Sequence, residues 1–113
     1  MKPRLLVHIG THKTGTTALQ RHLKQYQKEL QAEGISYIDA EDWGLGRLRQ
    51  VKELQAPNKS IVEELRSFLK NRKKRAKTYV LSNEAFSGNP LLGYQNAPAI
   101  ASLLRRATEG EFQ

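Results

Sequence analysis

The chain has 113 residues, of which 38% are hydrophobic and 27% are charged, as in an ordinary small globular protein. This length predicts one domain over residues 1–113 with a single modest core. No apolar run approaches roughly 20 residues and no signal-peptide pattern is present, so we expect a cytoplasmic protein without a transmembrane segment. The absence of cysteine excludes disulfides and thiolate metal sites. The formal net charge of +8 favours anionic ligands such as phosphates, sulfates, acidic glycans or nucleic acid.

The first part of the chain predicts a strand, a helix and a second strand. Residues 4–9, RLLVHI, form a near-continuous apolar run, which is typical of a strand with both faces covered. Residues 16–33 carry apolar side chains at spacings of three and four, which predicts one helix with a single apolar stripe. The stripe consists of Leu19, Leu23, Tyr26 and Leu30, and polar residues off it, including Gln20 and Lys24, are expected to face water. Gly34 is placed to end this helix, and the alternating segment 35–39, ISYID, predicts the second strand.

The rest of the chain continues the alternation of helices and strands. Residues 40–59 are the least regular part, a loose helix bracketed by glycines and a proline. Ser60 and Glu63 fit a capping box at the start of a second clear helix. The apolar face of this helix consists of Ile61, Leu65, Phe68 and Leu69. The segment TYVLS at residues 78–82 predicts a third strand. A loop rich in glycine, proline and asparagine follows it, and residues 97–107 predict a final helix.

This order of elements predicts the fold class. Strands that alternate with helices are typical of an α/β fold with right-handed crossovers, in which helices cover both faces of a parallel sheet. We therefore expect a three-layer arrangement. Because the sequence supplies only three strands, the sheet should be incomplete, and its open edge could pair with another chain or a second copy.

A turn rich in glycine and threonine, GTHKTGTT at residues 10–17, lies between the first predicted strand and the first predicted helix. A helix N-terminus offers unpaired N–H groups and the positive end of the helix dipole, and glycines let the backbone close around an anion. The segment matches the phosphate-loop pattern G-x-x-x-x-G-K-[ST] except at the lysine position, which holds Thr16, while the loop's lysine is Lys13. We interpret residues 10–17 as a phosphate cradle. The alternative is a plain strand-to-helix turn in which Thr14 or Thr16 caps the helix.

The segment HIGTHKTGTT, with its lysine before the second glycine and paired threonines after it, resembles the sulfate-donor loop of PAPS-dependent sulfotransferases. PAPS is 3′-phosphoadenosine 5′-phosphosulfate. A looser similarity extends along all 113 residues, through the strand order and the segment VLSNEAF. The resemblance implies a P-loop nucleotide-binding topology and transfer of a sulfuryl group from PAPS to a hydroxyl or amine acceptor, either a glycan or a small compound, without a metal.

The same resemblance assigns roles to individual residues. Lys13 would lie near the bridging oxygen and the sulfuryl group as a catalytic cation that neutralises the leaving phosphate. The donor-binding residues that the resemblance implies are Thr11, His12, Lys13, Thr14, Gly15, Thr16 and Thr17. We expect acceptor specificity to lie in residues 40–59 and 87–98.

An acceptor also needs a base, and two side chains are candidates for it. Glu84 directly follows the third predicted strand, and functional groups of parallel sheets gather at the carboxyl ends of strands. Sulfotransferases carry a histidine or glutamate base on segments of this kind; the alternative for Glu84 is a solvated carboxylate. His12, within the cradle, is the second candidate, unless it only positions the loop. We expect His8 to be a hydrogen-bonded core histidine and His22 to have no chemical role.

The basic segment KNRKKRAK, residues 70–77, holds six cationic side chains. Such a cluster could attract nucleic acid or an acidic glycan. It could equally end a helix, where cations offset the dipole, and remain solvated. Because no aromatic side chains are interleaved with it for base stacking, we favour the second interpretation and do not expect nucleic acid as a partner.

Two further hypotheses stay open beside sulfuryl transfer. The shared G-x-x-x-x-G-T-T skeleton would also suit a nucleotide-kinase-like phosphoryl transferase, although the lysine and magnesium chemistry of that class assumes a different arrangement. A non-catalytic binder of anions or nucleic acid would account for the net charge of +8. In the sulfotransferase family, a further strand followed by an arginine and a serine binds the 3′-phosphate of PAPS. Arg105 and Arg106 lie on the last predicted helix and are not given that role, so we expect an N-terminal portion or a shortened member that could bind an anion without catalysing transfer.

Overall fold

The computed structural model of the chain describes residues 2–8, 16–73, 76–88 and 93–112, the side chains of residues 16–18, 84 and 87 excepted. Its sheet is parallel and has three strands: β1 (Arg4–His8), β2 (Ile35–Asp39) and β3 (Thr78–Ser82). The strand order is β1-β3-β2, so β3 is central and pairs with both neighbours. The expected α/β fold with a parallel sheet is confirmed.

The described part of the chain contains five α-helices and two short 3₁₀ helices. The α-helices are α1 (Thr16–Gln25), α2 (Gln27–Ala32), α3 (Leu45–Lys52), α4 (Lys59–Asn71) and α5 (Ala97–Thr108). The 3₁₀ helices, Ala40–Trp43 and Glu84–Ser87, follow β2 and β3 respectively. Within the described residues, no helix combines the length and the apolar character that crossing a membrane requires.

The single helix predicted over residues 16–33 is two helices, α1 and α2. Tyr26 separates them, because its backbone angles of φ −105° and ψ 25° leave the helical range. The bend lets the short α2 contact β2. Gly34 ends α2 as predicted: at φ +79° it donates its N–H to the Gln31 carbonyl at 3.0 Å. Its own carbonyl accepts the backbone N–H groups of Lys77 and Thr78, which fastens the start of β2 to the start of β3.

The segment between β2 and α4 is more ordered than the sequence pattern suggested. It contains a 3₁₀ helix and then α3, whose inner side buries Leu48 and Val51. The predicted capping box at the start of α4 is wrong. Asn58, in extended conformation, is the N-cap, and its Oδ1 accepts the N–H of Ile61 at 3.0 Å. Ser60 therefore lies inside the helix, because asparagine is among the best N-cap residues and stands one position before the helix begins.

The main hydrophobic core lies on one face of the sheet. Tyr79 and Leu81 of β3 are fully buried there, beside Ile38 of β2, under the apolar sides of α4 and α5. The fully buried residues that α4 and α5 contribute to this core are Leu65, Leu69, Ile100, Leu103 and Ala107. Burying one such leucine or isoleucine stabilises the fold by about 1.5–3 kcal/mol relative to leaving it in water.

The opposite face of the sheet is covered by α1 and α2 over part of its width. Tyr37 and Leu23 are buried there, outside the main core, and Lys24 Nζ lies 2.7 Å from the Asp39 carboxylate at the end of β2. The hydrogen bond and charge of Asp39 raise the pKa of Lys24. On this face the edge strand β1 leaves Leu6 52% exposed. Helices therefore cover both faces, as expected, but the cover over β1 is incomplete.

Candidate functional site

The carboxyl ends of β1 and β3 are neighbours in the sheet. His8, the last residue of β1, is in register with Ser82, the last residue of β3. One residue further, the backbone N–H of Asn83 donates to the carbonyl of His8 at 3.3 Å. The chain therefore leaves the sheet from two adjacent strands at this edge: into the predicted cradle after β1, and into the 3₁₀ helix Glu84–Ser87 after β3.

The cradle's central residues fall outside the described part of the chain. Thr11, His12, Lys13, Thr14 and Gly15 all belong to this gap, so their donor-binding and catalytic roles stay predictions. Of the remaining cradle residues, Thr16 and Thr17 are the first two of α1. No acidic residue lies in the first turn of α1, so no carboxylate of that turn competes there with a bound anion.

Glu84 is the first residue of the 3₁₀ helix that follows β3. Asn83 caps this helix: its Oδ1 accepts the N–H of Ala85 at 2.9 Å. The backbone of Glu84 thus lies at the carboxyl edge of the sheet, where functional groups of parallel α/β proteins gather. The side chain of Glu84 is outside the description, and its role as a base stays a prediction.

His8 was predicted to be a core histidine, and its predicted burial is wrong. His8 is exposed, because β1 is an edge strand and α1 leaves that face partly open. Its Nδ1 does lie 3.1 Å from the hydroxyl of Ser82, which is 1% exposed. The predicted hydrogen bond is therefore present.

Gln20 is a contact that the sequence pattern missed. Periodicity put it on the water-facing side of the first helix, yet its Nε2 donates to the carbonyl of Ser82 at 3.1 Å. The bond fastens α1 to the carboxyl end of β3, and so fixes the start of the helix relative to the strands. The sequence shows only that Gln20 is polar. A polar side chain on a helix can form hydrogen bonds either with a backbone carbonyl or with water, and the sequence does not say which. His22 contacts the Tyr26 ring, with centroids 4.5 Å apart.

Two cations of the basic segment 70–77 form ion pairs within the molecule. Arg72 Nη1 lies 3.3 Å from the Asp42 carboxylate, and Lys73 Nζ lies 3.0 Å from the Glu111 carboxylate. The hydrogen bond from Lys73 lowers the pKa of Glu111. These contacts favour a structural role for the described part of the segment, since they connect the end of α4 to the turn after β2 and to the turn after α5.

A cavity of about 320 Å³ opens at the same edge of the sheet, between the two 3₁₀ helices and α3. Its lining residues are Glu41, Leu45, Leu48, Arg49, Lys52, Glu53, Asn83 and Ala85. Most of them come from residues 40–59, the region in which acceptor specificity was expected. The sequence pattern indicated the region and the apolar side of a loose helix that includes Leu45 and Leu48, but it did not indicate the charged lining residues.

Comparison of the chain with known protein families, with curated proteins and with solved structures finds no match. The residues that could carry a function gather at the carboxyl edge of the sheet. The relevant features are the start of α1, the capped turn that carries Glu84, and the cavity beside it.

Proposed function

We propose that the chain is a sulfotransferase-type domain with a P-loop topology, in which residues 10–17 bind the 5′-phosphosulfate of PAPS. The observation that carries the proposal is the adjacency of β1 and β3, whose carboxyl ends are joined by the bond from Asn83 N–H to the His8 carbonyl at 3.3 Å. Because of that adjacency, the segment that carries Lys13 and the segment that carries Glu84 begin at the same edge of the sheet.

In this proposal, different residues of the chain assist different parts of the transfer reaction. The acceptor's oxygen or nitrogen attacks sulfur and forms the new bond, while the bond from sulfur to the bridging phosphate oxygen breaks. The Lys13 ammonium and the N–H groups at the start of α1 stabilise the electron pair left on that oxygen. The Glu84 carboxylate takes the proton of the acceptor. PAPS supplies the sulfuryl group and leaves as adenosine 3′,5′-bisphosphate.

The described residues suit one end of this donor better than the other. The phosphosulfate end would meet a helix start without a carboxylate in its first turn. An arginine that binds the 3′-phosphate would be expected directly after a strand, and none stands there in the described residues. Arg105 and Arg106 lie within α5. We therefore expect the chain to bind the donor chiefly through its 5′ end.

Donor binding tests the proposal directly. Isothermal titration of the chain with adenosine 3′,5′-bisphosphate should give saturable binding, and Lys13→Ala should weaken it about tenfold, the value of one strong charge-assisted hydrogen bond. Lys28→Ala, which removes an exposed lysine of α2, is the matched control for net charge and should leave the dissociation constant unchanged.

Several results would contradict the proposal. The first is that neither PAPS nor the bisphosphate binds, and the second is that Lys13→Ala and Lys28→Ala bind the bisphosphate equally well. Magnesium-dependent binding of ATP in place of PAPS would favour the phosphoryl-transfer alternative. Salt-sensitive binding of heparin or RNA that ignores Lys13→Ala would favour a non-catalytic anion binder.

A further inference from the structure

The cavity of about 320 Å³ beside α3 has the size and position of a small-molecule site. Its volume lies at the lower end of the range of about 300–1,000 Å³ that is typical of ligand pockets. Glu41 follows β2, and Asn83 and Ala85 follow β3, so the cavity opens at the carboxyl edge of the sheet. Asn83 and Ala85 are also the sequence neighbours of Glu84. The cavity therefore borders the turn that carries the proposed base.

The cavity wall includes one buried polar side chain, that of Asn83. Asn83 is only 8% exposed, and its Oδ1 accepts the N–H of Ala85. The amide group of this side chain also carries N–H donors, which can donate to an acceptor oxygen of a ligand in the cavity.

The cationic side of the cavity is formed by Arg49 and Lys52, which lie three residues apart on α3. Neither forms an ion pair within the described ranges. Arg47, on the same helix, differs: its guanidinium lies 3.0 Å from the Glu64 carboxylate and 3.3 Å from the Gln50 side-chain oxygen. Two carboxylates, Glu41 and Glu53, line the same cavity, but among the described residues no ion pair joins either of them to Arg49 or Lys52. These two cations can therefore bind an anionic group of a ligand.

The other lining residues restrict the chemical class of the ligand further. Leu48 is buried and Leu45 is 72% exposed, so an apolar floor continues to an apolar rim. The Glu41 carboxylate, on the β2 side, can accept a hydroxyl or amine proton but would repel a second anionic group. The lining thus suits a small compound with an apolar body, one anionic group and at least one hydroxyl.

We propose that this cavity is the acceptor site, and that the acceptor is a small hydroxyl compound carrying a carboxylate or a similar anionic group. Arg49 and Lys52 bind the anionic group, and Asn83 donates to an oxygen of the ligand. That the bound compound is an acceptor rests on the proposed sulfuryl transfer. Binding of the compound to the cavity does not require the donor. A polymeric glycan is not the ligand expected for a cavity of this size.

Titration followed by nuclear magnetic resonance tests this with a matched pair of probes, 4-hydroxybenzoate and its neutral isostere 4-hydroxybenzamide. The benzoate should shift the side-chain amide signals of Asn83 and the methyl signals of Leu48 saturably. We expect it to bind about tenfold more tightly than the benzamide, the value of one hydrogen bond to a charged group. Arg49→Ala should remove that preference, whereas Arg47→Ala, which keeps the cavity lining intact, should retain it.

Each of the contrary outcomes overturns the inference. These outcomes are the absence of shifts at Asn83 up to millimolar probe, equal affinity for the two probes, and equal loss in Arg49→Ala and Arg47→Ala. The donor titration with Lys13→Ala is a separate experiment. If donor binding is normal and the cavity binds neither probe, the proposed function stands and the acceptor site falls. If the cavity binds the benzoate and no donor binds, sulfuryl transfer falls and the site remains one for small anions.

Discussion

Replacing Gly88 by alanine should destabilise the protein strongly, because two independent costs meet at this position. Gly88 has φ +104° and ψ −169°, a conformation that is nearly restricted to glycine and costs other residues about 1–3 kcal/mol. An added Cβ would also lie 2.7 Å from Oδ1 of Asn96. That side chain is 6% exposed and cannot easily move, since its Nδ2 donates to the carbonyls of Lys52 at 2.7 Å and Leu54 at 2.9 Å.

The two costs sum to about 2–4 kcal/mol if the contact weakens one of the Asn96 hydrogen bonds, each worth about 1 kcal/mol. For a chain of this size, 1 kcal/mol corresponds to about 4 °C, so we expect a fall in Tm of about 8–16 °C. Urea unfolding followed by circular dichroism measures the free energy of unfolding, and calorimetry measures Tm. Because Asn96 links the end of α3 to the start of α5, weakening its hydrogen bonds should also make the wall of the cavity beside α3 less rigid.

Two other glycines separate the contributions. Gly110, at φ +81°, has no heavy atom within 4 Å of an added Cβ, so Gly110→Ala should cost only the backbone term, about 1–2 kcal/mol. Gly46 lies in α3 with the same open space around an added Cβ, and Gly46→Ala should stabilise the helix by about 0.5–1 kcal/mol. If Gly88→Ala costs no more than Gly110→Ala, the contact with Asn96 has no energetic weight and the reasoning fails.

Two further predictions concern stability. Asn58→Ala removes the N-cap of α4 and should lower the free energy of unfolding by about 1 kcal/mol, while Ser60→Ala should change it little; the reverse ranking in urea unfolding would restore the Ser60 capping box. The pKa of Glu111 is lowered in the folded state by the Lys73 hydrogen bond, so this pair stabilises the fold above the ordinary glutamate pKa and the contribution disappears as pH falls through the lowered pKa. Thermal unfolding between neutral and acid pH should therefore depend less on pH in Lys73→Gln than in the parent, and an unchanged dependence would contradict the assignment.

Local patterns were sufficient for most of the secondary structure. The three strands, the ending of α2 at Gly34 and the final helix were predicted correctly because apolar periodicity and glycine conformation act over a few residues. Local reasoning failed where two local signals competed. Asn58 and Ser60 are both good caps, and only the helix start decides which is used. The bend at Tyr26 left no mark in the periodicity of residues 16–33.

The sequence by itself determined the alternation of strands and helices, the location of the segment GTHKTGTT between the first strand and the first helix, and the position of Glu84 after a strand. Tertiary structure alone decided that β3 lies between β1 and β2, which joins His8 to Ser82 across 74 residues of sequence. It also decided which side chains of α3 line the cavity with Asn83. The reason is physical: periodicity reports which face of an element is apolar, whereas the choice of neighbouring strand depends on how the whole core packs.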